Sequence, residues 1–321
     1  MFKLLLITTL LLSQNAISCV VLLYHHFDYT TPASTSISPK LFEKHLDYLK
    51  TNNFKVLSAG ELIKKIKNQQ KLPTKCAVLT ADDAYISIYK NAYPLLKKYN
   101  FTMSVFVATQ GVGTYKALMN YQQMRDIKGN IDFYNHSLEH RHFPKSSIKQ
   151  ILKSVNTNQK ILIKELGITE KIFAYPYGEY DLKTYKLLKS LDYSAFGQHS
   201  GAINLNSDLL RLPRFPMTNL YGKMPSFKTK INTLAFELVA INPISQVVKN
   251  NPPTLKITFK KHHNINCFVA GQKNPNITWK DKTAFITAKS PLKIGRTKYN
   301  CTASSGEKNR FYWLSKQWII D

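Results

Sequence analysis

The sequence CAVLTADD, residues 76–83, is a short apolar run that ends on two adjacent aspartates, Asp82 and Asp83. Residues 77–80 have the length and composition of a buried strand. Similar runs recur between residues 19 and 222. They lie at 20–24, 77–80, 102–108, 131–134, 172–175 and 193–197.

Amphipathic helical patterns separate these predicted strands. Phe42, Leu46 and Leu49 share one helix face after Ser38, and residues 148–162 carry apolar side chains at i, i+3, i+4 and i+7 spacing. Repeated strand–helix units imply a parallel α/β sheet. Their number predicts a (β/α) barrel, an incomplete one, over residues 19–222.

Residues 223–321 have a different pattern, in which helical periodicity is absent. Predicted strands with turn residues between them lie at 234–241, 254–259, 267–271, 283–288, 298–303 and 311–320. This pattern predicts a small all-β sandwich domain.

The first 18 residues predict a secretory signal peptide. A positive start is followed by an apolar run and small residues, and the run is shorter than the roughly 20 residues that span a bilayer. We therefore expect an exported protein in the periplasm, in the cell envelope or outside the cell.

Four cysteines remain, an even number that suggests disulfides in an oxidising compartment. Cys19 and Cys76 lie equally far before His25 and Asp82, so neighbouring parallel strands would bring the two cysteines side by side. Cys267 and Cys301 would then join strands of the sandwich. Lipidation of Cys19 is the alternative.

A net charge of +26 sets the expected partners. Nearly all of the positive charge comes from lysines scattered over the chain, whereas proteins that read nucleic-acid sequence rely on arginine. We therefore expect no nucleic-acid partner, and a basic surface that suits an anionic cell envelope. The arginines are Arg125, Arg141, Arg211, Arg214, Arg296 and Arg310.

Polar residues follow the predicted strands directly, at the carboxyl ends where functional groups of parallel α/β barrels gather. Asp82 and Asp83 are such a pair. Adjacent carboxylates repel each other, so a buried pair needs a cation or a shared proton. A solvated turn is the alternative for two aspartates taken alone.

His136 and His140 add two imidazoles four residues apart, which would face the same way on one helical turn and bind one metal. With one aspartate they make three protein ligands and leave an open position, as in catalytic sites. The metal would lower the pKa of a water, and the second aspartate would accept its proton as the water attacks a carbonyl. Two unrelated surface histidines are the alternative.

The order of these motifs resembles the NodB-type polysaccharide deacetylases, carbohydrate esterase family four. Residues 80–83 resemble Thr-x-Asp-Asp, residues 136–140 resemble His-Ser-x-x-His, and residues 175–178 read Tyr-Pro-Tyr-Gly. The opening Leu-Tyr-His-His at 23–26 looks like the branch that deacetylates poly-β-1,6-N-acetylglucosamine. The resemblance covers residues 20 to 220.

By position, the resemblance implies that Asp82 is the catalytic base and that Asp83, His136 and His140 hold a divalent metal ion, zinc or another. It also implies that the backbone N–H of Tyr177 stabilises the oxyanion that forms on the acetyl oxygen.

Three features depart from the family's pattern, and the first is Ala81, which stands where the family usually has phenylalanine. Ala174 stands where the family has an arginine, so another group must tune Asp82. The Leu-x-His motif that supplies the general acid has no clean match. His199 and His25 are the candidates for this acid, and a structural histidine is the alternative for each.

Phe311 and Trp313 lie on one face of the last predicted strand, opposite Tyr312. Exposed aromatic rings would stack on sugars and make this domain carbohydrate-binding, whereas buried rings would belong to the core of the sandwich.

The sequence thus predicts an exported, metal-dependent hydrolase that removes N-acetyl groups from an N-acetylglucosamine polysaccharide, either poly-β-1,6-N-acetylglucosamine or peptidoglycan. The alternative is a glycan-binding protein of the cell envelope with little or no turnover.

Overall fold

The computed structural model describes residues 17–320. Nearly all of the predicted signal peptide lies outside these residues and stays a prediction. Among the described helices, none has the length and apolar character that crossing a membrane requires.

Eight short parallel strands form one sheet in the first part of the chain. Seven run in the order β7-β6-β5-β4-β3-β1-β8, and β2 pairs with β3 beside this path. β7 and β8 are the sheet edges, so the prediction of an incomplete barrel is confirmed. The strands are β1 (Cys19–Tyr24), β2 (Lys55–Leu57), β3 (Cys76–Asp82), β4 (Met103–Val107), β5 (Ile131–Asn135), β6 (Ile172–Ala174), β7 (Ser194–Phe196) and β8 (Phe215–Pro216).

Helices cover the outside of this barrel. The first begins at Ser38, whose side chain accepts a hydrogen bond from the Leu41 N–H, and it buries Phe42, Leu46 and Leu49 as the periodicity predicts. The helices are α1 (Pro39–Thr51), α2 (Ala59–Lys67), α3 (Tyr93–Tyr99), α4 (Tyr121–Ile127), α5 (Ile148–Leu166), α6 (Leu182–Ser190) and α7 (Met224–Ile231).

β1 and β3 lie side by side in the register that the cysteine spacing predicts. Cys19 is paired with Cys76 in this register, and the two residues form a disulfide. The same register pairs Tyr24 with Ala81, so His25 and Asp82 meet at the carboxyl edge of the sheet. A disulfide predicted from spacing therefore also fixes the neighbours of the functional residues.

Two antiparallel sheets follow and form the predicted sandwich. One has the order β12-β13-β10-β9 and the other β11-β14-β15. They share a core that includes Ile257, Ile286 and Trp318, and the Cys267–Cys301 disulfide joins β11 to β14. The strands are β9 (Leu238–Asn242), β10 (Thr254–Phe259), β11 (Ile265–Val269), β12 (Asn276–Lys280), β13 (Thr283–Thr287), β14 (Gly295–Ser304) and β15 (Phe311–Ile320).

The expectation of no helix after residue 223 is wrong, because α7 lies there. Its Phe227 and Ile231 pack into the core of the barrel, and the Phe227 ring stacks on His45 of α1. Contacts with another part of the chain stabilise this helix, and it is too short for a clear periodicity. The domain boundary at residue 222 stays a prediction.

The outer face of the β11-β14-β15 sheet lies against the barrel. Along β14, Tyr299 and Cys301 point into the sandwich core, so Arg296, Lys298 and Asn300 lie on the other face. The ammonium of Lys298 donates a hydrogen bond to the Gln198 carbonyl oxygen in the barrel at 2.6 Å.

Candidate metal centre

Asp83, His136 and His140 come together at the carboxyl edge of the sheet. Asp83 follows β3, His136 follows β5, and His140 lies in the turn after it. Asp83 Oδ1 is 3.7 Å from His136 Nε2 and 3.5 Å from His140 Nε2. These separations are close to the roughly 3.3–3.5 Å that tetrahedral zinc with bonds of about 2.0–2.1 Å would impose.

The two histidines do not share a helical turn, which corrects the sequence-based expectation. Ser137 and His140 both have positive φ, 68° and 55°, so the segment between them is irregular. The imidazole rings nevertheless lie close together in an edge-on arrangement, with centroids 4.8 Å apart. Left-handed backbone at these two positions, and not helical spacing, aims both rings at Asp83.

His136 has the hydrogen bonding of a metal ligand. Its Nδ1–H donates to the Ala174 carbonyl oxygen at 2.7 Å, which leaves the Nε2 lone pair free. Nε2 is buried and has no hydrogen-bond partner among the described residues. Burial lowers the pKa of His136 to about 3, so the ring is neutral. A buried acceptor without a donor fits a metal ion.

The carboxyl group of Asp83 is half-buried beside the Asp82 charge. Burial, together with the neighbouring Asp82 charge, raises the pKa of Asp83 to about 6. Its backbone has φ of 71°, and its N–H donates to the Phe106 carbonyl oxygen at 3.0 Å. A divalent ion between Asp83 and the histidines would offset the cost of burying this charge.

Asp82 is paired with Arg214, which the sequence analysis did not single out. Arg214 Nη1 and Nη2 donate to Asp82 Oδ1 and Oδ2 at 2.7 and 2.8 Å, a bidentate contact. Both side chains are fully buried. Burial alone would raise the pKa of Asp82, but the Arg214 guanidinium holds it well below its usual range.

Arg214 is the group that tunes Asp82 in place of the arginine that the family has at the position of Ala174. It lies just before β8, and its Nε donates to the Gly197 carbonyl oxygen at 2.8 Å. One feature of the sequence could have pointed to Arg214. It is a single arginine among apolar residues at 212–215, in a chain whose cations are mostly lysines.

Of the two candidate acids, the structure brings His25 to this centre. His25 Nε2 lies 4.0 Å from Asp82 Oδ2, and the ring lines the same cleft as Asp83 and His140. Burial lowers the pKa of His25. His199 instead lines a separate cavity with Arg211 and Lys316, where burial and then nearby lysines lower its pKa to about 3.

Tyr177 lies beside His140 in a strained turn. Its φ is 58°, and its ring is edge-on to His140 at 4.4 Å and stacked on His142 at 4.0 Å between centroids. Arg296 of β14 donates from Nη1 to the Tyr177 carbonyl oxygen at 3.0 Å. Glu179 Oε2 accepts a hydrogen bond from His142 Nδ1 at 2.7 Å.

The centre opens into a large cleft. Its volume is about 1790 Å³, and residues of both the barrel and the sandwich line it. Tyr115 and Tyr221 of the barrel line it as exposed aromatic residues, and Phe268 does so from the sandwich. Trp313 also lines it, but Phe311 of the same predicted face does not.

Comparison with known proteins points to one family. Residues 69–196 match the polysaccharide deacetylase family. A Bacillus subtilis (strain 168) protein with the provisional name polysaccharide deacetylase is 26% identical over 174 residues, which are 54% of this chain and 61% of that protein. A poly-β-1,6-N-acetyl-D-glucosamine N-deacetylase of Staphylococcus aureus (strain MRSA252) is 27% identical over 195 residues, 56% of this chain and 67% of that protein.

A solved structure gives the same answer for the fold. A Streptococcus pyogenes deacetylase in complex with acetate superposes on this chain with a TM-score of 0.62 and 25% identity. The superposition covers 67% of this chain and 99% of that one.

Proposed function

We propose that this chain, in which residues 69–196 match the polysaccharide deacetylase family, is a metal-dependent hydrolase that removes acetyl groups from N-acetylated glycan. Asp83, His136 and His140 hold the metal, Asp82 is the base and His25 the acid. The observation that carries the proposal is the meeting of three ligand atoms within 4.8 Å of one another beside an ionised Asp82.

The geometry suits hydrolysis of an acetamide. A divalent ion held by Asp83, His136 and His140 would supply a Lewis acid, which would activate water and polarise the acetyl oxygen. Asp82, kept ionised by Arg214, accepts the proton of the attacking water. The backbone N–H of Tyr177 meets the charge that develops on the acetyl oxygen.

His25 completes the reaction by delivering a proton to the departing nitrogen. Its Nε2 lies 4.0 Å from Asp82 Oδ2, so the proton taken from water has a short route to the leaving group. The amide C–N bond breaks, and the products are acetate and a free amino sugar. Water supplies all the atoms that are added, and no further reactant is required.

The polymer and the location are proposals of the same kind. The Staphylococcus aureus relative is named for poly-β-1,6-N-acetyl-D-glucosamine, and this glycan is the first substrate to test. Peptidoglycan is the second, because the net charge of +26 suits an anionic envelope. The two disulfides support a location outside the cytoplasm.

An acetate-release assay on both glycans tests the proposal. We expect wild-type protein to release acetate and a chelator to stop it. Asp82→Asn should lower the rate about 100-fold or more, because it removes the base and keeps the size of the side chain. Asp192→Asn is the control, since Asp192 is exposed and far along the chain from the metal ligands.

The assay also separates the alternative. A glycan-binding protein without turnover would bind the polymer after chelation and release no acetate. Acetate release that is equal in wild type and Asp82→Asn would contradict the assignment of the base.

A further inference from the structure

One aromatic side chain of the sandwich is exposed inside the cleft that holds the metal centre. Phe268 of β11 is 51% exposed, whereas its strand neighbours Cys267 and Val269 are buried in the sandwich core. It lines the same cleft as Asp83 and His140. It shares the cleft with the exposed rings of Tyr115 and Tyr221, and exposed apolar side chains that gather at one place mark a contact surface.

An amide lies directly opposite this ring. Asn300 of β14 is the register partner of Phe268 and lines the same cleft. Its Oδ1 accepts a hydrogen bond from Ser315 Oγ at 2.5 Å, and Ser315 Oγ in turn accepts one from Trp313 Nε1 at 3.2 Å. Because Oδ1 is engaged, the group that Asn300 offers to a ligand is its Nδ2–H₂ donor.

We propose that Phe268 and Asn300 form a glycan subsite, which binds an N-acetylhexosamine ring of the same polymer whose acetyl group lies at the metal. This inference rests on the proposed function for its ligand. The ring of Phe268 packs on the apolar face of the sugar, and the Asn300 amide donates to a hydroxyl or acetyl oxygen.

The dimensions of the cleft favour a polymer over a small substrate. Its volume of about 1790 Å³ exceeds the roughly 300–1,000 Å³ of ordinary small-molecule sites. Tyr115 and Tyr221 are 65% and 52% exposed on the barrel side of the cleft, so aromatic rings line both walls. A glycan seated at the metal therefore continues along a wall that the sandwich supplies.

The test compares long and short substrates. In Phe268→Ala, we expect kcat/KM for the polymer to fall about tenfold, because sugar stacking is lost. The value for a single N-acetylglucosamine unit should change by less than about twofold. Phe311→Ala is the matched control, since Phe311 is a 43% exposed phenylalanine of the same sandwich that does not line the cleft.

Asn300→Asp provides a second variant that keeps the side-chain shape. It exchanges a hydrogen-bond donor for an acceptor, so kcat/KM for the polymer should again fall about tenfold. The value for a single N-acetylglucosamine unit should stay unchanged. If both variants act on the polymer as well as wild type does, the subsite is refuted.

A binding measurement keeps this test separate from that of the proposed function. The Kd for the polymer is measured for two proteins, the Asp82→Asn variant and the double variant Asp82→Asn with Phe268→Ala. This measurement does not depend on turnover. Binding that is about tenfold weaker in the double variant supports the subsite, whether or not wild type releases acetate. Absence of acetate release by wild type would refute only the deacetylase proposal. Equal Kd values would refute the subsite alone.

Discussion

Arg214 and Asp82 form an ion pair in which both side chains are fully excluded from solvent. The sequence predicted Asp82, because two adjacent aspartates after an apolar run are a conspicuous signal. It also showed that the family's arginine was missing at Ala174. It could not identify the replacement, because a contact across 132 residues of chain depends on how β1, β3 and β8 are arranged.

Removing the guanidinium of Arg214 while Asp82 stays charged should destabilise the protein. In Arg214→Met, we expect the free energy of unfolding to fall by about 3–5 kcal/mol, because a buried carboxylate is left unpaired. Urea denaturation measures this loss. The same substitution in an Asp82→Asn background should cost less, since the charge is already gone. Equal losses in the two backgrounds would contradict a direct pairing.

The turns after the strands position the residues of the site, and the sequence predicted these turns only in part. Asn135 Oδ1 accepts a hydrogen bond from the Ser137 N–H at 2.9 Å, and Ser154 Oγ accepts one from the Leu138 N–H at 3.0 Å. These side chains hold residues 136–140 away from a helix. Because Ser154 belongs to α5, tertiary contacts override a local spacing that fits a helical turn.

His45 of α1 is a buried histidine that packs on α7, and its contribution to the stability of the protein depends on pH. His45 Nε2–H donates to the Gly222 carbonyl oxygen at 2.6 Å, and Nδ1 accepts from the Tyr24 hydroxyl at 3.0 Å. Burial lowers the pKa of His45 to about 4. The unfolded chain, with a histidine pKa of about 6.5, therefore binds the proton more readily, and stability falls as pH falls from about 6.5 to 4.

His45→Gln should remove this part of the pH dependence. Between pH 7 and pH 4, we expect the wild-type free energy of unfolding to fall by about 2–3 kcal/mol more than that of the variant. Denaturant titrations at several pH values measure the difference, and other histidines cancel in the comparison. Parallel pH profiles would show that His45 is not the group responsible.

The sandwich supports the Tyr177 turn of the barrel. Arg296 Nη1 binds the Tyr177 carbonyl oxygen, and its Nε lies 3.6 Å from Glu179 Oε1. The sequence predicted a sandwich and all of its strands except β12, since alternation is a local property. It could not predict how the sandwich docks, because the docking face of β14 reads like any exposed strand face.

Arg296 should therefore act as a positioning residue. We expect Arg296→Ala to lower kcat about tenfold or more with little change in KM, because the Tyr177 turn loses its support. Arg125→Ala is a suitable control, since Arg125 is similarly exposed and also lies beside a glutamate. A change in KM alone would assign Arg296 to substrate binding and contradict the positioning role.

The central claim is that one cation lies among Asp83, His136 and His140, and anomalous scattering from crystals of zinc-loaded protein tests it most directly. We expect one peak at the zinc edge, about 2.0–2.2 Å from a carboxylate oxygen of Asp83 and from Nε2 of both histidines. A map in which no peak lies among these three side chains, or in which zinc binds through other residues, would contradict the account.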